Sequence, residues 1–380
     1  MKQWGIGQGI IKKVLVTLGV VIFLFIGLFG YTLATNYHGL GNLVKVISLV
    51  RSQYLLESNT DSMVEGAIKG VVESLDDPYS TYLDPQTFKK LNEQIHGSFG
   101  GLGILVGLEE QYLTVVRPYE NTPAAKAGIK SGDKIVKINT EDVVGVDLDA
   151  AVNMMRGPVG SKINLTLLRN NEELKKTLVR EEIKVPTVES KVIPKTEFGY
   201  ISISQFTENT PNELEEQLKK LNIKQLKGIV LDLRNNPGGE LIAATRVADQ
   251  FVSDGVIVHI DYKVGEDRAF AASKQSLNLP LVVLINKYSA SASEILAGAI
   301  KDHKIGTLVG TTSFGKGVVQ TVYPLDNGAG LKLTTARYLT PNKHDINKKG
   351  IKPDVQVDQQ EDSEIDLQLQ KGIEILKTKA

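Results

Sequence analysis

The sequence lacks cysteine altogether, and neither sign of charge is in excess, since 44 Lys and Arg balance 44 Asp and Glu in 380 residues. The missing cysteine excludes disulfides, thiolate metal ligands and a cysteine nucleophile, and leaves the redox compartment open. Long basic runs are absent outside the N-terminal tip, so we expect no nucleic-acid partner. The five histidines are scattered without an i, i+4 pair, which argues against a histidine metal site.

The chain is long for one hydrophobic core, and we expect two or three domains. Hydrophobic residues make up 42% and charged residues 23%, which is typical of a globular protein.

The N-terminus predicts a membrane anchor. Lys12 and Lys13 precede an uncharged, largely apolar run, residues 14–33, and about 20 residues are needed to cross a bilayer as a helix. The positive charges place the tip in the cytoplasm and the body outside the cell membrane, as a single-pass protein. The alternative is a cleaved signal peptide, with Thr32 and Ala34 near the cleavage site and a secreted or periplasmic body.

Two helical patterns follow the apolar run. Apolar residues recur at helical spacing over residues 43–54 and 64–75. Ser62 and Glu65 have the spacing of a capping box before the second pattern.

Short strands and many glycines come next. Gly101-Leu102-Gly103-Ile104 and the segment PAAKAGIKSGDKIVKIN (residues 123–139) resemble the carboxylate-binding loop and the helix–strand segment of PDZ domains. Glycines let backbone N–H groups converge on a terminal carboxylate, and a free strand edge accepts a peptide as an added strand.

Between residues 184 and 357 strand and helix patterns alternate, which predicts a layered α/β domain. The strands are expected at residues 199–206, 227–234 and 279–286, and the helices at 211–221 and 293–303. Apolar residues at helical spacing predict one more helix at residues 365–376.

The segment SASASE (residues 289–294) lies between a buried strand and a helix. A serine at a helix N-terminus meets backbone N–H groups and a dipole that favour developing negative charge, as a nucleophile requires. The alternative is plain helix capping, which we assign to Ser293.

A lysine between glycines occurs in GTTSFGKG (residues 310–317). The segment does not fit a phosphate-binding P-loop, because glycine follows the lysine where a P-loop has Ser or Thr, and because the next residues predict a strand where a P-loop has a helix. Lys316 is better interpreted as a base whose charged form is disfavoured by desolvation, with an ordinary surface lysine as the alternative. A third segment, DLRNNPGG (residues 232–239), forms a tight turn that can aim a backbone N–H at an oxyanion.

Together and in this order, LDLRNNPGG, SASASEI and FGKGVVQ resemble the C-terminal processing peptidases, also called tail-specific proteases. The resemblance covers residues 40–358. It implies a crotonase/Clp-protease-like layered α/β protease core with an inserted PDZ-like β-rich domain and an N-terminal transmembrane helix. It also implies an endopeptidase without cofactor, and a possible homodimer.

Carried over residue by residue, the resemblance assigns a role to each matching position. The nucleophile is Ser291, the general base Lys316, the lysine-orienting residue Gln320, the oxyanion donors Ala292 with Gly238 or Gly239, and the supporting acid Asp302. The implied domains are residues 1–36 (tip and anchor), 37–95 (helical segment), 96–182 (PDZ-like), 183–358 (protease core) and 359–380 (C-terminal helix).

Several alternatives stay open. A Ser-His-Asp triad has candidates in His303 beside Asp302 and His344 beside Asp345, and a catalytically inactive, membrane-tethered PDZ scaffold is the alternative from another class. The expected substrates are exported or membrane proteins with free, apolar C-termini, either a membrane-bound regulator in signalling or damaged exported proteins. Arg156, just after a predicted helix, either couples tail binding to the protease site or is a solvated surface arginine.

Overall fold

The computed structural model describes residues 5–36, 39–273, 276–360, 363 and 365–379. The chain divides into two compact units, residues 1–82 and 83–380. Within the described residues, no helix combines the length and the apolar character that a membrane span needs, so the anchor predicted over residues 14–33 is not supported. The side chains at positions 26, 29 and 31–33 of that run lie outside the described part of the chain.

The first unit is helical, as predicted for residues 43–54 and 64–75. Its helices are α1 (Gly5–Asn36), α2 (Leu40–Gln53) and α3 (Thr60–Glu73), and the short strand β1 (Thr81–Leu83) follows. The predicted capping box is wrong: Asn59 is the N-cap of α3, and its side chain accepts hydrogen bonds from the N–H groups of Asp61 and Ser62. Ser62 lies inside the helix because the chain already turns helical at Thr60.

The first part of the second unit is rich in strands, as the short glycine-punctuated patterns indicated. Its elements are α4 (Pro85–His96), β2 (Ser98–Gly101), β3 (Ile104–Glu109), β4 (Tyr112–Pro118), α5 (Pro123–Lys126), β5 (Lys134–Ile138), β6 (Glu141–Asp142), α6 (Leu148–Met155), β7 (Lys162–Arg169), β8 (Glu172–Val179) and β9 (Glu181–Lys184). Strands β3, β4, β5, β7 and β8 pair in that order in an antiparallel sheet, and β2 pairs with β9. Alternate residues of the sheet, such as Leu113, Val115 and Ile135, form a core with α6.

Helix α4 was not predicted from the sequence. Asp84 caps its N-terminus by accepting hydrogen bonds from Gln86 and Thr87, Pro85 occupies the first turn, and Gly97 ends it in a left-handed conformation. These are strong start and stop signals, and Phe88, Leu91 and Ile95 recur at helical spacing, so the helix was predictable from the sequence but was missed.

The remainder of the second unit has the predicted alternation of strands and helices. Its elements are β10 (Val188–Val192), β11 (Phe198–Ile203), α7 (Thr210–Lys220), a 3₁₀ turn (Ile223–Gln225), β12 (Gly228–Asp232), α8 (Leu241–Asp249), β13 (Val256–Tyr262), β14 (Arg268–Ala271), β15 (Leu281–Ile285), α9 (Ala292–Asp302), β16 (Thr307–Gly310), β17 (Val318–Pro324), β18 (Gly330–Leu339), β19 (Val355–Gln356) and α10 (Leu367–Lys379).

A six-stranded sheet in the order β10-β11-β12-β15-β16-β19 organises this region, and all of its pairings are parallel except that of β10 with β11. Every residue of β12 and β15 is buried, because both faces of the sheet are covered. Ile229 and Leu231 pack on one face with residues of α7, α8 and α9. Val230 packs on the other face with α10. The layered α/β architecture is confirmed, and its parallel strands end at a common edge.

A second, antiparallel sheet was missed. Strand β17 pairs with β18, β18 with β13, and β13 with β14. Its strands are half-exposed, so no long apolar run marks them, and the pairing that joins its two hairpins, β13 with β18, links strands distant in sequence. The strand reading of the residues after Lys316, which excluded a P-loop, is confirmed by β17.

Candidate active site

Ser291 occupies the turn between β15 and α9. It is the N-cap residue of α9, and its φ of 55° is unusual for a residue other than glycine. Strained backbone of this kind persists where the surroundings enforce it, often at functional sites. The prediction that Ser293 caps this helix is wrong, because Ser293 is already helical and donates its hydroxyl to the carbonyl of Asn236 at 3.0 Å.

Lys316 lies in a tight loop just before β17. The preceding Gly315 has a φ of 89°, and a Cβ atom there would lie 2.8 Å from the amide nitrogen of Gly350. Glycine is therefore required for the close approach of the two backbones, which fixes where Lys316 leaves the loop. Lys316 itself is half-buried.

One cavity of about 520 Å³ brings the predicted residues together. Ser291, Ala292, Lys316, Gln320 and Gly239 all line it. Gln320 projects from β17, and its amide nitrogen donates to Thr334 Oγ1 at 3.3 Å.

Much of the remaining wall of this cavity is apolar. It is formed by α4, by the start of α8 and by α9, with Leu91, Ile95, Ile242 and Ile295. An apolar wall of this kind suits the side chains of a bound peptide.

Residues 234–239, which we call the glycine loop, pack directly against Ser291. A Cβ atom at Gly238, whose φ is 102°, would lie 2.9 Å from Ser291 Cβ and 2.9 Å from the amide nitrogen of Ala292. The Gly238 N–H is already donated to Asn236 Oδ1 at 2.9 Å. Gly238 is buried whereas Gly239 is exposed to the cavity. In the described part of the chain, the N–H groups of Gly239 and Ala292 make no hydrogen bond.

The predicted carboxylate-binding loop joins β2 to β3. The side chain of Leu102 is buried in the neighbouring core, and Gly103 has a φ of 72°. Their carbonyl groups accept hydrogen bonds from Ala124 and Tyr119, whereas their own N–H groups make none to any described residue. Ile104 opens β3, an edge strand of the described sheet, so a free edge adjoins the loop.

Comparison with known proteins identifies the family. Residues 197–357 match peptidase family S41, residues 114–169 a PDZ domain, and residues 32–87 the N-terminal domain of the activating protease CtpB. The chain is 43% identical over 333 residues to a carboxy-terminal-processing protease of Bartonella bacilliformis, covering 85% of this chain and 76% of that protein. The chain belongs to the S41 carboxy-terminal processing peptidases.

Two further relatives agree with this S41 assignment. Carboxy-terminal processing protease CtpB of Bacillus subtilis is 38% identical over 321 residues, covering 83% of this chain and 67% of that protein. Among solved structures, the photosystem II D1 C-terminal processing protease has a TM-score of 0.50 and 33% identity, covering 81% of this chain and 86% of that one. The family and the serine-type peptidase predicted from the sequence are confirmed, and the inactive scaffold is not favoured.

One S41 residue near the cavity escaped the sequence analysis. Glu294, the third residue of α9, is fully buried. Its Oε2 accepts the N–H groups of Ser291 (2.8 Å) and Lys316 (2.9 Å), and its Oε1 accepts the N–H of Gly315 (2.7 Å) and the hydroxyl of Ser313 (2.6 Å). One carboxylate thus joins the backbone of the serine turn to that of the lysine loop. The Ser291-x-x-Glu294 spacing of a capping box was the available signal.

Asp302 lies at the other end of α9 from Ser291, about 15 Å along a helix axis. Its Oδ2 accepts a hydrogen bond from the N–H of Asn342 at 2.9 Å, and its Oδ1 lies 3.7 Å from Nδ1 of His344. His303 follows it and contacts the carbonyl of Val256 at 2.7 Å. These residues are not among those that line the cavity of Ser291.

Arg156 follows α6 and contacts two neighbouring elements of this S41 peptidase. Its guanidinium lies 4.2 Å from the ring centre of Phe99 in β2, and its Nη1 lies 3.4 Å from Glu93 Oε2 in α4. Its Nε is buried and has no hydrogen-bond partner in the part of the chain described. The side chain of Arg156 is 36% exposed, so both its coupling role and the alternative of a solvated surface arginine stay predictions.

Proposed function

We propose that this peptidase is an endopeptidase that binds free, apolar C-terminal tails at its PDZ domain and hydrolyses peptide bonds with Ser291 and Lys316. The observation that carries the proposal is the single cavity lined by both residues, by Gln320 and by two unpaired backbone donors. Extracytoplasmic location, exported substrates and homodimer formation stay predictions from the sequence.

The reaction is acyl transfer through a covalent intermediate. Neutral Lys316 accepts the hydroxyl proton of Ser291, whose oxygen attacks the peptide carbonyl. The tetrahedral intermediate collapses, the C–N bond breaks, and the amine leaves with the proton that Lys316 returns. Water, deprotonated by the same lysine, then hydrolyses the ester. Gln320, which lines the same cavity, orients the lysine amine.

The developing oxyanion is stabilised by backbone donors. Ala292 N–H at the start of α9 is one donor, and the helix dipole adds to its effect. Gly239 is the other, since its N–H is unpaired and exposed to the cavity whereas the Gly238 N–H is donated to Asn236. Two such donors are the usual arrangement for acyl transfer.

Tail recognition rests on the loop Gly101–Ile104. The unpaired N–H groups of Leu102 and Gly103 suit a terminal carboxylate, and the free edge of β3 suits an extended tail. A peptide that ends in apolar residues with a free carboxylate is expected to be cleaved at least about tenfold faster than its C-terminally amidated form at concentrations below KM. The measurement is the initial rate of product release by chromatography.

Two outcomes of that experiment are distinct. Cleavage of both peptides at one rate contradicts the tail-reading role but leaves the peptidase in place. Absence of cleavage of either peptide, with folded protein and bound tail, contradicts the Ser–Lys assignment.

Arg156 is proposed to couple tail binding to cleavage. Phe99 lies two residues before Gly101, and Glu93 lies on α4, whose Leu91 and Ile95 line the cavity. A non-cleavable tail peptide is expected to stimulate cleavage of a tailless peptide in the wild type, and Arg156→Ala is expected to abolish this stimulation. Stimulation requires that the protein has two arrangements and that the tail peptide binds one of them better than the other.

The matched control for Arg156 is Lys126→Ala, which removes a cation from an exposed ion pair with Glu181 in the same region. It is expected to retain the stimulation. Equal stimulation in Arg156→Ala and the wild type contradicts the coupling role.

A further inference from the structure

The glycine loop is held tightly on the side that faces the serine turn. The carbonyl of Asn236 accepts the N–H of Ala290 and the hydroxyl of Ser293, both at 3.0 Å. The hydroxyl of Ser289 donates to the carbonyl of Leu233 at 2.8 Å. These bonds fix the loop relative to Ser291.

Arg234, the first residue of the glycine loop, binds the C-terminal segment. Its Nη1 donates to Asp366 Oδ1 at 2.8 Å and to Gln368 Oε1 at 3.2 Å, and its Nη2 donates to Asp366 Oδ2 at 2.7 Å. Nε and Nη2 also donate to Asp232 at the end of β12. All five N–H groups of the guanidinium are therefore used. The side chain of Arg234 is only 14% exposed.

The C-terminal segment is itself fixed to the sheet. Leu369, Ile373 and Leu376 of α10 pack on β12, β15 and β16. Gln368 is buried and donates its amide to the carbonyl of Val357 at 2.7 Å. Asp366 and Gln368 thus form a rigid base for Arg234 rather than a mobile tail.

We propose that Asp366 and Gln368 are positioning residues for the glycine loop, which they hold through Arg234 so that the Gly239 N–H points into the cavity of Ser291. The proposal rests on the proposed function, because Gly239 is an oxyanion donor only in that mechanism. Loss of the Asp366 charge leaves Arg234 paired with Asp232, but it weakens the two charge-assisted hydrogen bonds that tie the glycine loop to the C-terminal segment. The glycine loop is then held less firmly on the segment that precedes α10.

The titration of Asp366 supports this arrangement. Burial is the largest single effect and would raise its pKa, but the hydrogen bonds and charge of Arg234, together with the backbone N–H groups of Leu369 and Gln368, outweigh it, and the pKa of Asp366 lies below its ordinary value. The contribution of the ionised carboxylate to stability is present above the ordinary pKa and is lost as pH falls through the lowered one. Arg234 and Asp232 face Asp366, and Lys287 and Asp358 line the adjoining cavity.

Asp366→Asn tests the proposal in the full chain. At neutral pH we expect kcat for a tail peptide to fall about tenfold with little change in KM, since small displacements of an oriented donor slow the chemical step. We also expect amide hydrogen exchange in residues 234–239 to become at least about tenfold faster. Asp366→Glu restores the charge and should recover part of both effects.

The control is Glu374→Gln, which removes a carboxylate from an exposed ion pair with Lys371 on the same helix. It should leave kcat and exchange unchanged. Asp366→Asn with wild-type kcat or wild-type exchange overturns the proposal. If Asp366→Asn does not fold, Gln368→Met is the second variant, because it removes one hydrogen-bond acceptor of Arg234. Wild-type exchange of residues 234–239 in Gln368→Met then overturns the proposal.

Exchange in residues 234–239 does not depend on catalysis. A wild-type protein that cleaves nothing contradicts the proposed function, whatever the exchange shows. If the wild type is active and Asp366→Asn shows faster exchange but wild-type kcat, only the positioning role is contradicted.

Discussion

Ser291→Ala and Lys316→Ala each abolish cleavage of a tail peptide, with an expected loss of about 10⁴-fold or more in kcat. Without the Ser291 hydroxyl no acyl-enzyme forms, and without the Lys316 amine no group accepts the proton of the Ser291 hydroxyl. Both side chains lie at the cavity surface, so truncation leaves the packed core intact. The measurement is kcat with folded protein verified by circular dichroism.

The neighbouring serines are the controls for Ser291. Ser289 and Ser293 are fully buried and donate to the carbonyls of Leu233 and Asn236. Their replacement by alanine leaves a buried acceptor short of a partner, at about 1–3 kcal/mol of stability, but keeps the nucleophile. Measurable activity in both is expected. Loss of activity in Ser289→Ala with wild-type turnover in Ser291→Ala means that the nucleophile is misassigned.

Lys332 is the control for Lys316, because it lines the same cavity from β18. Lys332→Ala should retain activity, whereas Lys316→Arg should not, since arginine keeps the charge but is never neutral in proteins. Activity in Lys316→Arg contradicts its role as the base.

The sequence predicted the protease core well because the relevant patterns are local. The apolar runs of β12 and β15 identify strands covered on both faces, and the turn that holds Ser291 follows β15 directly. Helix α4 was missed although its caps and its apolar spacing are local. The antiparallel sheet escaped prediction because its strands are half-exposed and its two hairpins are joined by strands distant in sequence, β13 and β18. The choice between Gly238 and Gly239 as a donor rests on one hydrogen bond, which the Gly238 N–H donates to the Asn236 side chain and which no spacing reveals.

The site residue that mattered most among those missed was Glu294. A glutamate three residues after a serine reads as an ordinary capping box, and it does accept the N–H of Ser291. Its second connection runs to the backbone of Gly315 and Lys316, more than 20 residues later. Only the folded chain shows that the cap also fixes the lysine loop.

Glu294→Gln is expected to lower kcat about 100-fold with little change in KM or in tail binding. The carboxylate accepts five hydrogen bonds, four of them at 2.6–2.9 Å with two on each oxygen, and a longer one from the Tyr338 hydroxyl to Oε2 at 3.4 Å. An amide offers one oxygen, so its NH₂ group faces two donors and displaces either the serine turn or the lysine loop. The measurement is kcat and KM for the tail peptide, with tail affinity determined separately by calorimetry.

Three variants separate positioning by Glu294 from a general loss of stability. Glu240→Gln changes another helix-capping glutamate that lines the same cavity but accepts only the N–H groups of Ile242 and Ala243, and it should lose less than about threefold. Ser313→Ala removes one of the five hydrogen bonds of Glu294 and should lower kcat by an intermediate factor, because the Lys316 bond is kept. Glu294→Asp keeps the charge but is one methylene shorter and should recover only part of the activity.

Wild-type kcat in folded Glu294→Gln contradicts the role of this carboxylate, since the serine turn and the lysine loop would then hold their geometry without the group that joins them.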